Sequence, residues 1–365
     1  MSTNINTPEQ TENPFKKIQG ARVLLPVLFG LGVVAWMFFR EFDPASFDVV
    51  TFTYRSVIFL FIAILCMVMR DIGYMIRIRI LADNSISWWQ AFRIIMLWEF
   101  TSAVTPSAVG GTSIAILYVN KEGVSLGRSS AIVLVTSFLD ELYFVLIFPL
   151  LVLIVNFHDL FTIESGAASV IANSLFIITI IAYTLKFAYA GLVAYGLFFN
   201  PRGLKWLLLQ IFRLSLIRRW RHYVNEAGTE IIESSKAFKK KNIVFWLKAF
   251  GATFCSWTAR YWVVNALLLA FFVIPGFANH FMIFARQLVM WIMQLISPTP
   301  GGSGFAEYVF TQYLGDFIPV SPELVGSVAL GMALLWRIVS YYPYLIIGTI
   351  ILPKWIRTHF NFSKS

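Results

Sequence analysis

Thr105-Pro106-Ser107-Ala108-Val109-Gly110-Gly111 and Thr299-Pro300-Gly301-Gly302-Ser303-Gly304 each interrupt an apolar stretch, about 88–119 and 281–313. Proline removes a backbone donor and glycine frees the chain, so neither stretch reads as one continuous helix. Each reads as helix, break, helix. Laying the first on the second puts Thr105 on Thr299, Pro106 on Pro300 and Gly110 on Gly304, and the same shift carries Pro149 onto Pro343. With a short gap, Arg70 falls on Arg260. Proline and glycine are common in membrane helices, so one match is weak. Several in one order are the weak internal symmetry of a duplicated membrane unit.

The rest of the chain sets the solvent. Of 365 residues, 58% are hydrophobic and only 13% charged, against about 25% charged in a soluble domain. Too few polar side chains remain to cover a water-facing surface, so lipid is the solvent for most of it. Spanning helices need about 20 mostly apolar residues, and six stretches qualify: about 21–40, 51–70, 129–156, 168–199, 243–274 and 323–351. The net charge of +10 would suggest nucleic acid in a soluble protein. Here the basic residues lie in loops and set orientation, and nucleic-acid binding is not expected. Cys66 and Cys255 lie in apolar runs, and the four histidines form no ligand spacing. No metal, nucleotide or nucleophile motif is present, so no cofactor, metal or catalytic residue is expected.

Loop charge orients the spans. Lys16, Lys17 and Arg22 place the N-terminus inside, the acidic loop Glu41 to Asp48 is outside, and Arg77 and Arg79 are inside. Lys121 and Arg128 are again inside, so the stretch 88–119 enters and leaves on one side. The same logic makes 281–313 dip in from outside, and Lys354, Arg357 and Lys364 place the C-terminus inside. The expected fold is an all-α polytopic membrane protein: six spanning helices plus two re-entrant helical hairpins arranged as inverted repeats. A disordered cytoplasmic tail occupies 1–20. A single transmembrane domain covers 21–352, with repeat one about 51–156, repeat two about 243–351 and a cytoplasmic loop at 200–242. A cytoplasmic tail follows at 353–365. The first span, ending Trp36-Met37-Phe38-Phe39-Arg40, lacks a cleavage site and is read as uncleaved.

Ionisable residues inside a span are functional candidates because they are costly there. Glu99, Asp140, Glu141, Arg260, Arg286, Glu307 and Arg337 qualify. Adjacent Asp140 and Glu141 point to different helix faces, so one of them is expected in a cavity. The break residues Thr105, Pro106, Gly110, Gly111, Pro300, Gly301 and Gly302 supply free backbone groups for an anionic headgroup or an ion. Buried ion pairs holding the bundle are the structural alternative, favoured for Arg55, Arg70 and Lys186. Trp88, Trp89, Trp220 and Trp355 read as interfacial belts.

Glu99 through Gly111, and Ser297 through Glu307 with its Pro-Gly-Gly, resemble the two signature segments of the lysylphosphatidylglycerol synthase transmembrane, or flippase-like, family. The resemblance covers about 20–352 and is more specific in the second segment. In bifunctional members of that family, this region moves aminoacylated phosphatidylglycerol, and a separate cytosolic domain transfers the amino acid. The chain ends soon after the sixth span, so the resemblance implies a stand-alone translocase of a phospholipid or isoprenoid-linked lipid in the inner membrane, not an enzyme. Its substrate headgroup, energy source and oligomeric state are left open, a homo-oligomer included. An integral-membrane transferase with Asp140 or Glu141 as base, and a small-ion transporter, are the alternatives.

Overall fold

The computed structural model describes residues 50–105, 109–156, 159–161, 168–211, 213, 229, 232–295, 297, 299 and 301–359. The expected first span, the N-terminal tail, Pro106 and Pro300 lie outside them. The described residues are helical, without strands. We number the helices α1 (Tyr54–Leu81), α2 (Trp88–Val104), α3 (Val109–Lys121), α4 (Leu126–Ile154), α5 (Ala168–Ala194), α6 (Pro201–Ile211), α7 (Ile243–Phe271), α8 (Phe277–Leu295), α9 (Phe305–Leu314), α10 (Pro322–Ser340) and α11 (Tyr342–His359). The stretch Leu204 to Trp220, whose alternating basic and apolar residues read either as an interfacial amphipathic helix or as a solvated connector helix, is described only as far as α6 and Arg213.

Helix α1 shows how the sequence sorts lipid from core. Ala63, Met67, Arg70, Tyr74 and Arg77 recur every three or four residues and are buried, while Phe61, Ile64, Leu65, Val68 and Ile72 are exposed. That is the one-sided stripe of a packed helix, with the usual polarity reversed on its outer face. The buried face packs along α7. Ser56 Oγ donates to the Ala270 carbonyl at 2.8 Å, and Ser256 Oγ donates to the Arg70 carbonyl at 3.0 Å. Advancing along α1 therefore means going back along α7, so the two helices are antiparallel. Their approach is close at Gly73, where a Cβ would lie 2.2 Å from Ser256 Oγ.

Both broken stretches fold as antiparallel hairpins. In the first, Thr101 Oγ1 meets Tyr118 Oη at 2.7 Å, and Gly111 backs onto Ser102 so closely that a Cβ would sit 2.0 Å from its Oγ. In the second, Arg286 on α8 reaches the Tyr313 carbonyl on α9 at 2.8 Å. Neighbour relations repeat between the halves. As α1 touches α2 and α4, α7 touches α8 and α10; as α3 touches α4, α9 touches α10. Between halves, α8 packs on α4 and α2 on α11.

Four helical segments are long and apolar enough to cross a membrane: Tyr54–Leu81, Leu126–Ile154, Phe176–Phe199 and Pro322–His359. Helix α7, expected as a span, is long enough but not among them. Lys248, Arg260 and three tryptophans lower its hydropathy, as suits a helix that packs against protein rather than lipid. The last expected span, 323–351, is two helices divided at Tyr341, whose φ of −128° and ψ of −56° leave the helical region. Pro343 disfavours continuous helix just before itself. Helix α11 then runs on to His359, beyond the expected start of the C-terminal tail at 353.

Trp355 corrects the belt reading. It is buried and donates from Nε1 to Glu122 Oε1 at 3.0 Å, whereas Trp88 and Trp89 are exposed. Glu122 also takes a bidentate pair from Arg93, at 2.9 and 2.6 Å, clamping the open end of the first hairpin to α11. Glu122→Ala is expected to destabilise the protein by about 3 kcal/mol, since it strips a buried pair of one partner. Thermal unfolding in detergent measures it, and an unchanged midpoint refutes the clamp.

Candidate functional site

A cavity of about 310 Å³ lies where the two breaks approach α1, α7 and the α10–α11 junction. Thr105 lines it from one break, and Thr299, Gly301 and Gly302 line it from the other. The breaks are tied through Tyr341, whose hydroxyl donates to the Ala103 carbonyl at 3.0 Å while its ring presses on Gly301.

The walls carry charge and aromatic surface together. Arg77 of α1 holds Asp140 of α4 and donates to Thr253 Oγ1 at 3.2 Å. Trp257 Nε1 gives Asp140 a further bond of 2.6 Å. Arg337 of α10 donates from Nε to Glu307 Oε1 at 2.8 Å and from Nη2 to the Gly301 carbonyl at 2.9 Å. Glu99 of α2 meets the fully buried Arg70 through Oε2 at 2.5 Å. Arg70 also contacts Asp71 at 3.0 Å and lies between the rings of Tyr74 and Tyr344. Arg260 of α7 differs from these. Among the described residues it has no bonded carboxylate, and its guanidinium rests 5.5 Å from the Trp257 ring centre, facing the cavity. An arginine in an apolar helix needs pairing or hydration, and its open donors lie on the wall of this cavity.

The structure sorts the sequence candidates. Glu99, Thr105, Asp140, Arg260, Gly301, Gly302 and Arg337 line the cavity. Glu141 does not: on the other face of α4 it pairs with Lys186 at 2.7 Å, beneath the Trp291 ring. Arg286 is spent elsewhere, on Asp316 at 2.8 Å and the carbonyls of Tyr313 and Asp159. Glu307 is buried behind Arg337, and its second oxygen accepts the Gly304 N–H at 2.7 Å, capping α9. Gly111 serves hairpin packing behind the cavity, while Pro106, Pro300 and the surroundings of Gly110 lie outside the described residues. Sequence reasoning missed Arg77, Gln294 and the tryptophans Trp98, Trp257, Trp291 and Trp336. Arg77 was read as a loop charge because α1 was expected to end near residue 70. The sequence reading puts the tryptophans, mostly near span ends, in interfacial belts, although Trp257 within a span and Trp291 within the second broken stretch are open to a cavity reading.

No solved structure matches the chain. A UPF0104 membrane protein of Archaeoglobus fulgidus is 25% identical over 343 residues, spanning 90% of this chain and 95% of that protein. The sequence profile described as the lysylphosphatidylglycerol synthase TM region matches residues 23–348, which take in both hairpins and every cavity residue. With its long apolar helices, the chain is a multi-pass membrane protein and belongs to the lysylphosphatidylglycerol synthase TM region family.

Proposed function

We propose that this protein translocates a lipid or lipid-linked substrate, moving its polar headgroup across the inner membrane through the cavity while the chains remain in lipid. In this reading the chain has six spans and two re-entrant hairpins, one entering from each face, with both termini cytoplasmic. The antiparallel packing of α1 on α7 and the repeated neighbour relations support an inverted pair of units, an architecture that places substrate between the units. Non-helical backbone at membrane depth is tolerated only in protein or at a wet cavity, and both breaks flank one. The observation that carries the reading is Arg260, a cation with open donors on that cavity wall. A transferase using Asp140 as base is less well supported, because Arg77 and Trp257 already occupy that carboxylate.

The test is movement of acyl-chain-labelled phospholipids and isoprenoid-linked lipids in liposomes containing the purified protein. Wild type is expected to accelerate one class. Arg260→Gln is expected to slow it at least about tenfold, the scale of one lost charge-assisted hydrogen bond. No movement of any lipid by folded wild-type protein, with or without a proton gradient, defeats the proposal.

A further inference from the structure

The cavity and its immediate backing hold arginines 70, 77, 260 and 337 and the carboxylates Asp71, Glu99, Asp140 and Glu307. Charges among these described residues therefore cancel. Of the charged groups that line the cavity, Arg260 and Glu99 are the least engaged, and Arg70, whose Nε and Nη2 also lack hydrogen-bond partners among the described residues, is fully buried behind it. Arg260 has unengaged donors, and Glu99 is ion-paired to Arg70 through Oε2 alone. They come from different units, Glu99 from α2 and Arg260 from α7. A cavity of zero net charge, with one cation and one anion open, is complementary to a ligand that is itself dipolar. A net anion would bring uncompensated charge into a low-dielectric site, which is costly, whereas a zwitterion keeps the sum at zero.

We infer that the headgroup this cavity takes is a phosphate–ammonium zwitterion, with the phosphate on Arg260 and the ammonium on Glu99. This deepens the translocase reading and rests on the cavity being its substrate site. Guanidinium suits phosphate because its fork can bond two oxygens at once. The ammonium gains the Glu99 carboxylate, and indoles such as Trp98, which can attract a cation, share the wall. Arg77 and Arg337 do not compete for the phosphate to the same extent, since each already carries a carboxylate.

The experiment is a binding titration that needs no translocation. The purified full chain in detergent is titrated with dihexanoylphosphatidylethanolamine or dihexanoylphosphatidylglycerol, and intrinsic tryptophan fluorescence reports occupancy. The zwitterion is expected to bind about tenfold tighter or more, since its amine adds a charge-assisted bond. Arg260→Gln is expected to weaken both ligands. Glu99→Gln is expected to weaken the ethanolamine lipid and, by leaving the cavity one charge positive, to strengthen the glycerol lipid, abolishing or reversing the preference. Equal affinity of the wild type for the two lipids, or a preference for the glycerol lipid, overturns the inference without any variant having to fold. Selective binding without lipid movement in liposomes would instead sink the translocase reading alone.

Discussion

Glu307→Ala is expected to cost about 3–5 kcal/mol of stability and to abolish transport in whatever protein still folds. The carboxylate is 1% exposed and does two jobs: it neutralises Arg337 at 2.8 Å and caps α9 through the Gly304 N–H at 2.7 Å. Removing it strands a buried guanidinium beside the cavity and frees the second break. Replacing both members, Glu307→Leu with Arg337→Leu, is expected to recover most of the stability, because a buried pair exchanged for apolar side chains is often neutral. Transport stays lost in the double variant, since Arg337 also holds the Gly301 carbonyl on the cavity wall. Thermal unfolding in detergent and lipid movement in liposomes separate the two effects. A single variant with a wild-type midpoint refutes the structural role given to Glu307.

Gly301→Ala is expected to be almost as damaging, although it adds one methyl group. Its φ of 57° lies in the left-handed region, which costs a residue with a side chain about 1–3 kcal/mol. The new Cβ would also stand 2.4 Å from the Tyr341 ring. Tyr341 must then move, and its bond to Ala103, the tie between the two breaks, goes with it. The sum is about 2–4 kcal/mol once that hydrogen bond is included. Gly326→Ala is the control: it has open space around it and no positive φ, so its midpoint should move little. Equal behaviour of the two variants would show that the break does not depend on its glycine.

How much of this was readable beforehand follows from the physics of each signal. The breaks were legible because proline and glycine act locally, on their own backbone. The likeness of the two broken stretches was legible because both carry the same punctuation. Partner choice was not. Nothing in the sequence says that Glu141 meets Lys186 from α5, or that Arg286 is taken up by Asp316 and the Asp159 carbonyl, since those contacts depend on how helices rotate about their axes. Arg77 was hidden for a different reason. A charge near a span end serves equally well as an orientation marker and as a buried group, and only the continuation of α1 to Leu81 decides between them. Glu122 gave no signal, because an acidic residue between hairpin and helix is ordinary until Arg93 and Trp355 close over it.

The cancelling charges around the cavity also bear on what drives the cycle. Moving one elementary charge through the membrane field takes about 2.3 kcal per mole for each 100 mV. If the protein is the proposed carrier, buried arginines and carboxylates that sum to zero and move as one body do no electrical work when it resets empty, and none when it is loaded with a zwitterion. In the translocase reading proposed above, membrane voltage by itself then gives that step no direction.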